Sequence, residues 1–96
     1  MAKKTSLDKR LHLYYSGSVQ GIGFRYTAER IADSLKLAGW VKNLPDGRVE
    51  VMIEGIEPEI ELFLQKINDI FKGYIRDVET EWGEATGEFS GFDIRF

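Results

Sequence analysis

The chain has 96 residues, 43% of them hydrophobic and 30% charged, which suffices for one hydrophobic core but not for two. Its 13 Lys and Arg residues against 16 Asp and Glu give a net charge of −3, whereas nucleic-acid-binding domains usually carry a basic excess. The sequence contains no cysteine, which excludes disulfide frameworks, thiolate metal sites and cysteine nucleophiles, and its single histidine, His12, argues against a histidine-rich metal site or a Ser/His/Asp triad.

The N-terminal segment resembles neither a membrane span nor a secretion signal. No apolar run in the sequence approaches the roughly 20 residues that cross a bilayer. No apolar segment follows Lys3 and Lys4, as it would in a signal peptide. We therefore expect a cytoplasmic protein without membrane association, in which residues 1–8 form a flexible polar tail and residues 9–96 form the domain.

The first predicted element is a strand over residues 10–16. Its apolar and polar residues alternate, which places Leu11, Leu13 and Tyr15 on one face. A glycine-bearing stretch, 17–23, follows directly. The chain therefore leaves its first strand through a flexible-backbone link.

A helix followed by a hairpin is predicted next. Apolar residues recur at helical spacing over residues 24–35, and Gly39 just beyond them is typical of a helix C-terminus. Segments 39–44 and 48–54 then predict two strands. Pro-Asp-Gly at 45–47 joins them, because this sequence favours a tight turn.

The second half of the chain predicts one more helix and two more strands. Residues 58–71 carry an apolar stripe at helical spacing, with a proline in the first turn and acidic residues near the N-terminus. Strands are predicted over 75–82 and 92–96, and a mobile, glycine-bearing loop over 83–91.

These elements predict an α+β fold, the ferredoxin-like α/β sandwich, with the order βαββαβ and a short terminal strand. Each helix has only one apolar stripe to bury, so both helices should pack on one face of an antiparallel sheet. The open face of that sheet would carry His12, Tyr14, Glu50, Met52 and Glu54.

The link before the first helix is a candidate anion-binding site. Its three glycines allow consecutive N–H groups to point inward as a nest, and the helix beginning near Phe24 adds unsatisfied N–H groups and a partial positive charge. Arg25 lies in the first turn, where its planar guanidinium could fold over a phosphate. A tight strand-to-helix turn beside a surface arginine remains the alternative interpretation.

Asn43 is the second candidate site residue. It ends the strand that returns antiparallel to the first helix, so it should approach the N-terminus of that helix and Arg25. Its amide has both a donor and an acceptor and could orient a water molecule for attack on phosphorus. The alternative is a turn residue that caps the hairpin backbone.

Two motifs carry a family resemblance. Segment 17–25, GSVQGIGFR, closely resembles the acylphosphatase signature G-x-V-Q-G-V-x-F-R. Segment 39–43, GWVKN, with the glycines and valine that follow it, is similar to the second signature of that family. The resemblance covers the chain after its N-terminal tail. Three departures, at Tyr15, Ile22 and Phe96, bear on rate or substrate preference rather than on reaction type.

The resemblance implies an enzyme that hydrolyses the carboxyl–phosphate bond of a small-molecule acyl phosphate, giving a carboxylate and inorganic phosphate. It implies that Asn43 orients the attacking water. The residue inventory, which offers no carboxylate cluster for a metal, predicts that no metal or cofactor takes part. A monomer is expected. The resemblance assigns phosphate binding to Arg25 and to the backbone of Ser18, Val19, Gln20, Gly21, Ile22, Gly23 and Phe24.

Two other functions are compatible with the predicted fold. The chain resembles the acylphosphatase-like N-terminal domain of the carbamoyltransferase of hydrogenase maturation, which suggests a module that binds carbamoyl phosphate without free activity. RNA-recognition domains share the sandwich, but they need a basic sheet face with exposed aromatic side chains. The carboxylates of Glu50 and Glu54 argue against an RNA-binding face here.

Overall fold

The alternating strand and helix patterns fold into a five-stranded sheet with two helices on one face. The computed structural model describes residues 8–96. The predicted tail lies outside the described residues apart from Asp8, which is the first residue of β1. The elements are β1 (Asp8–Gly17), α1 (Phe24–Ser34), β2 (Ala38–Asn43), β3 (Val49–Ile56), α2 (Glu57–Phe71), β4 (Ile75–Glu84) and β5 (Phe92–Arg95).

The strand order is β4-β1-β3-β2-β5, which is the ferredoxin-like α+β sandwich with an added edge strand. β1, β3, β2 and β4 pair antiparallel, but β5 runs parallel to β2, so the sheet is mixed rather than wholly antiparallel as predicted. The path of the chain from β4 to β5 explains why β5 runs parallel to β2. The chain leaves β4 at one end of the sheet, crosses along that end, and must enter β5 from there, which aligns β5 with β2.

The core lies between the sheet and the helices. The alternation predicted for β1 is confirmed, since Leu11, Leu13 and Tyr15 are all buried. β2, β3 and α2 contribute Val41, Val49, Val51, Ile53, Ile60, Phe63, Ile67 and Phe71 to this core.

Neither helix within residues 8–96 has the length and apolar character needed to cross a membrane.

The end of α1 differs from the prediction. The helix stops at Ser34 and closes in a Schellman motif, with the Leu37 amide donating to the Ala32 carbonyl (2.9 Å) and Lys36 in the left-handed region at φ 60°. Gly39 is therefore not the helix terminus. It lies inside β2, where a Cβ would come within 1.8 Å of the Met52 carbonyl oxygen, so glycine is required there by the close approach of β3.

Residues 85–91 cross the end of the sheet from β4 to β5, and Glu54 of β3 anchors them. Its buried carboxylate accepts hydrogen bonds from the Thr86 amide (2.9 Å), the Thr86 hydroxyl (2.9 Å) and the Gly87 amide (3.0 Å). The sequence predicts a mobile loop here and an open-face Glu54. Instead the loop lies over that carboxylate. Thr86 and Gly87 are 32 and 33 positions from Glu54 in the sequence, so no local pattern reveals the contact.

Glu54→Ala should lower the free energy of unfolding by about 2 kcal/mol, because hydrogen bonds to an ionised acceptor contribute more than neutral ones. Urea denaturation followed by circular dichroism measures the change. Glu61→Ala, on the exposed side of α2, is the matched control and should stay within about 0.5 kcal/mol of the parent protein. Equal midpoints for the two variants would contradict the anchoring role.

Candidate active site

The sheet topology brings the ends of β1 and β2 together with the start of α1. β1 and β2 are both antiparallel to β3, so they point the same way, and α1 begins where β1 ends. Val49 of β3 pairs with Tyr15 on one side and with Asn43 on the other. Asn43 therefore lies at the end of the sheet where the 18–23 loop leads into α1.

The 18–23 loop has the backbone geometry of an anion-binding nest. Gly21 and Gly23 both have φ of 81°, whereas the residue before each of them has negative φ. Backbone of alternating hand turns successive N–H groups towards one concave side. A Cβ added at either glycine would meet no atom within 4 Å, so the positive φ, rather than crowding, requires glycine at these two positions.

Two buried side chains fix this loop to the core. Val19 is fully buried, while its neighbours Ser18 and Gln20 are exposed. Phe24 packs between Tyr15 and Phe71, with ring centroids 5.0 and 4.9 Å away. The exposed backbone of the loop thus lies between two apolar anchors. Beside it, the first N–H groups of α1 have no acceptor inside the helix.

Arg25 is half-buried in the first turn of α1, next to the loop. Its guanidinium carbon lies 4.8 Å above the centroid of the Phe96 ring. Phe96 follows Arg95, which pairs with Lys42 of β2, so the Phe96 ring is at the same end of the sheet as Asn43. The structure therefore places the predicted cation and the predicted amide at one end of the sandwich.

Asn43 is the last residue of β2 and is half-buried. It alternates with the buried Val41, so it faces the helix side of the sheet. The 18–23 loop contacts the residues that follow it: Gln20 Nε2 donates to the carbonyl oxygens of Leu44 (2.8 Å) and Arg48 (3.0 Å). One side chain thus joins the loop to the hairpin that carries Asn43.

Asp46 and Arg48, the charged residues of the turn that follows Asn43, are paired with each other. Arg48 Nε lies 2.8 Å from Asp46 Oδ2, and the guanidinium of Arg48 stacks on the Tyr14 ring at 4.7 Å. Hydrogen bonds from the backbone N–H and side chain of Arg48 lower the pKa of Asp46. The Asp46 carboxylate is therefore ionised at neutral pH and forms an ion pair with the Arg48 side chain.

Neither His12 nor Tyr15 is suited to accept a proton at the loop. His12 is on the open face of the sheet, where its Nε2 is 2.6 Å from Glu50 Oε2. Burial raises the pKa of Tyr15, which stays a neutral phenol at physiological pH. The described residues also bring together no group of three or more side chains arranged to hold a metal ion. The candidate site thus comprises the backbone amides of the loop, the Arg25 guanidinium and the Asn43 side-chain amide.

Sequence reasoning missed two features of the site. Phe96, predicted as the last residue of the terminal strand, lies beyond β5, is 89% exposed and has its ring under the Arg25 guanidinium. Gln20, assigned only through its backbone, uses its side chain to bind the hairpin. Its place inside the first motif signalled importance, but its partners lie 24 and 28 residues away.

Comparison with known proteins identifies the family. The family model described as Acylphosphatase matches residues 11–94. The chain belongs to the acylphosphatase family. A relative named Acylphosphatase from Methanospirillum hungatei is 43% identical over 89 residues, which are 91% of this chain and 97% of the relative.

Solved acylphosphatase structures have the same fold. The crystal structure of acylphosphatase from Bacillus subtilis superposes with a TM-score of 0.84 at 32% identity, over 92% of this chain and 99% of that one. Full-length HypF in a phosphate- and nucleotide-bound form also gives a TM-score of 0.84, at 26% identity, but only 13% of that chain is covered. The family model and the relatives named Acylphosphatase support the enzyme over the carbamoyltransferase-like module.

Proposed function

We propose that this protein is an acylphosphatase that hydrolyses small-molecule acyl phosphates to a carboxylate and inorganic phosphate. Arg25 and the backbone amides of residues 18–24 bind the phosphoryl group, and Asn43 orients the attacking water. The observation that carries the proposal is the alternation of negative and positive φ that ends at Gly21 and Gly23. This nest lies directly before the N-terminus of α1 and Arg25. Membership of the acylphosphatase family supports the reaction type.

The binding groups rank clearly by magnitude. A unit charge in contact with another near a protein surface contributes about 4 kcal/mol before desolvation. A helix N-terminus contributes ~0.3–1 kcal/mol to an anion, and up to ~2 kcal/mol when partly buried. Arg25 therefore supplies most of the attraction for the phosphoryl group. The loop supplies the shape that selects three equatorial oxygens.

The reaction needs little more than positioning. The water oxygen forms a bond to phosphorus while the bond from phosphorus to the acyl oxygen breaks, and the carboxylate leaves with the electron pair. The water proton passes to an oxygen of the transferred phosphoryl group. A carboxylate is a good leaving group, so charge stabilisation by the loop and Arg25 together with alignment of water by Asn43 suffices.

Hydrolysis of benzoyl phosphate tests the proposed function. We expect turnover without added metal or cofactor, and competitive inhibition by inorganic phosphate, because the product occupies the same nest. A continuous absorbance assay at several phosphate concentrations measures both. Folded protein that neither hydrolyses benzoyl phosphate nor binds phosphate would refute the assignment.

We further propose that the enzyme acts as a cytoplasmic monomer, without nucleic-acid or membrane partners. The net charge of −3 supports the first of these exclusions. So does the open sheet face, where Glu50 accepts a hydrogen bond from the Tyr14 hydroxyl at 3.1 Å and where Glu79 and Glu81 lie beside His12 and Tyr14. Phosphate backbones would be repelled by these carboxylates.

A further inference from the structure

The hairpin that follows Asn43 is closed by two backbone hydrogen bonds of Leu44, one to Arg48 and one from Gly47. The Leu44 amide donates to the Arg48 carbonyl at 2.8 Å, and the Gly47 amide donates to the Leu44 carbonyl at 3.1 Å. Each carbonyl oxygen has a second lone pair that these backbone bonds leave available. The two oxygens form an acceptor pair on the hairpin.

Gln20 occupies that acceptor pair. Its Nε2 lies 2.8 Å from the Leu44 oxygen and 3.0 Å from the Arg48 oxygen. A primary amide has two N–H donors, which matches two acceptors without adding charge beside the phosphoryl group. The side chain is therefore directed to the hairpin, and only the backbone of Gln20 belongs to the nest.

The hydrogen bonds of Gln20 form a bridge between the loop and the hairpin, and each end of this bridge is next to a part of the proposed site. Gln20 precedes Gly21, whose φ of 81° shapes the nest, and Leu44 follows Asn43 directly. We propose that Gln20 is a positioning residue that fixes the separation between the bound phosphoryl group and the water held by Asn43. This inference rests on the proposed function.

Loss of these hydrogen bonds should slow catalysis, because the rate depends strongly on the distance between the reacting atoms. Near-attack geometry places reacting atoms about 3–3.5 Å apart, and a misplacement of about 1 Å can cost roughly 10²-fold in rate. Gln20 links the loop to the hairpin directly, and without it their relative position depends on the core packing and the sheet. Their backbones remain anchored by Val19 and by the β2–β3 pairing, so phosphate binding should persist.

Gln20→Met removes both donors and keeps the length of the side chain without adding charge. We expect kcat for benzoyl phosphate to fall about tenfold or more, and the inhibition constant of inorganic phosphate to stay within about twofold. Gln20→Glu should lower kcat at least as far, because its carboxylate faces two carbonyl oxygens. The matched control is Gln65→Glu on the exposed side of α2, which should leave both constants unchanged.

A double-variant comparison separates positioning from general loosening. If Gln20 acts through Asn43, Gln20→Met should lower kcat far less in the Asn43→Ala background than in the parent protein. Unchanged kcat in Gln20→Met, an equal loss of phosphate affinity, or full additivity with Asn43→Ala would each overturn the inference. Absence of turnover in the parent protein would instead mark failure of the proposed function.

Discussion

Replacing Arg25 by glutamine should abolish phosphate binding and reduce turnover by roughly 10³-fold. A contact between unit charges near the surface contributes about 4 kcal/mol, and each 1.4 kcal/mol corresponds to about a factor of ten. Glutamine keeps a polar, though shorter, side chain and has neither the charge nor the planar fork of donors. The N–H groups of the nest remain, so the loss isolates the guanidinium.

Phosphate titration by calorimetry and the benzoyl phosphate assay measure the two effects of Arg25→Gln. The matched control is Arg30→Gln, an identical change on the exposed side of α1. This control variant should bind phosphate and turn over as the parent protein does. If Arg25→Gln retained both properties, the guanidinium would have no part in the site, and its stacking on Phe96 would be a surface contact only.

Asn43→Ala should reduce kcat by about 10²-fold while leaving phosphate affinity nearly unchanged. The variant removes the group proposed to align water, and loss of a single well-placed polar group at a reacting centre typically costs 10²–10³-fold, roughly 3–4 kcal/mol. The nest and Arg25 are untouched. The expected signature is thus a split between turnover and product binding, opposite to the joint loss expected for Arg25→Gln.

The same two assays apply to Asn43→Ala, with Asn68→Ala on the exposed side of α2 as the matched control. The control should be indistinguishable from the parent protein in both. A parallel loss of kcat and phosphate affinity in Asn43→Ala would show that Asn43 contributes to binding rather than to orientation of water. Parent-like kcat would remove it from the mechanism.

Local patterns predicted most of the fold because β1, β2, β3 and the two helices each bury one face. Alternation at Leu11 and Leu13 and helical spacing at Ile60, Phe63 and Ile67 correspond to fully buried side chains. The parallel pairing of β5 was not predictable in this way. A strand's own pattern shows which of its faces is buried, but it does not show which edge of the sheet the strand joins.

For the candidate site, the sequence could predict local backbone geometry where the residues are contiguous. The glycine spacing before Arg25 encodes backbone geometry that is present in the structure, with positive φ at Gly21 and Gly23. The contacts of Gln20 with the hairpin and of Phe96 with Arg25 link segments distant in the chain. Such partners depend on the finished topology, so neither residue type nor spacing could identify them.

The empty space beside Gly21 and Gly23 implies that glycine is needed at these positions for its backbone conformation and not for its small size. An ordinary L residue in the left-handed region is strained by roughly 1–2 kcal/mol, but asparagine enters that region more readily than others. Asparagine should consequently be the mildest replacement at either position, alanine worse, and the β-branched valine worst. Such a ranking would follow backbone torsion instead of side-chain volume.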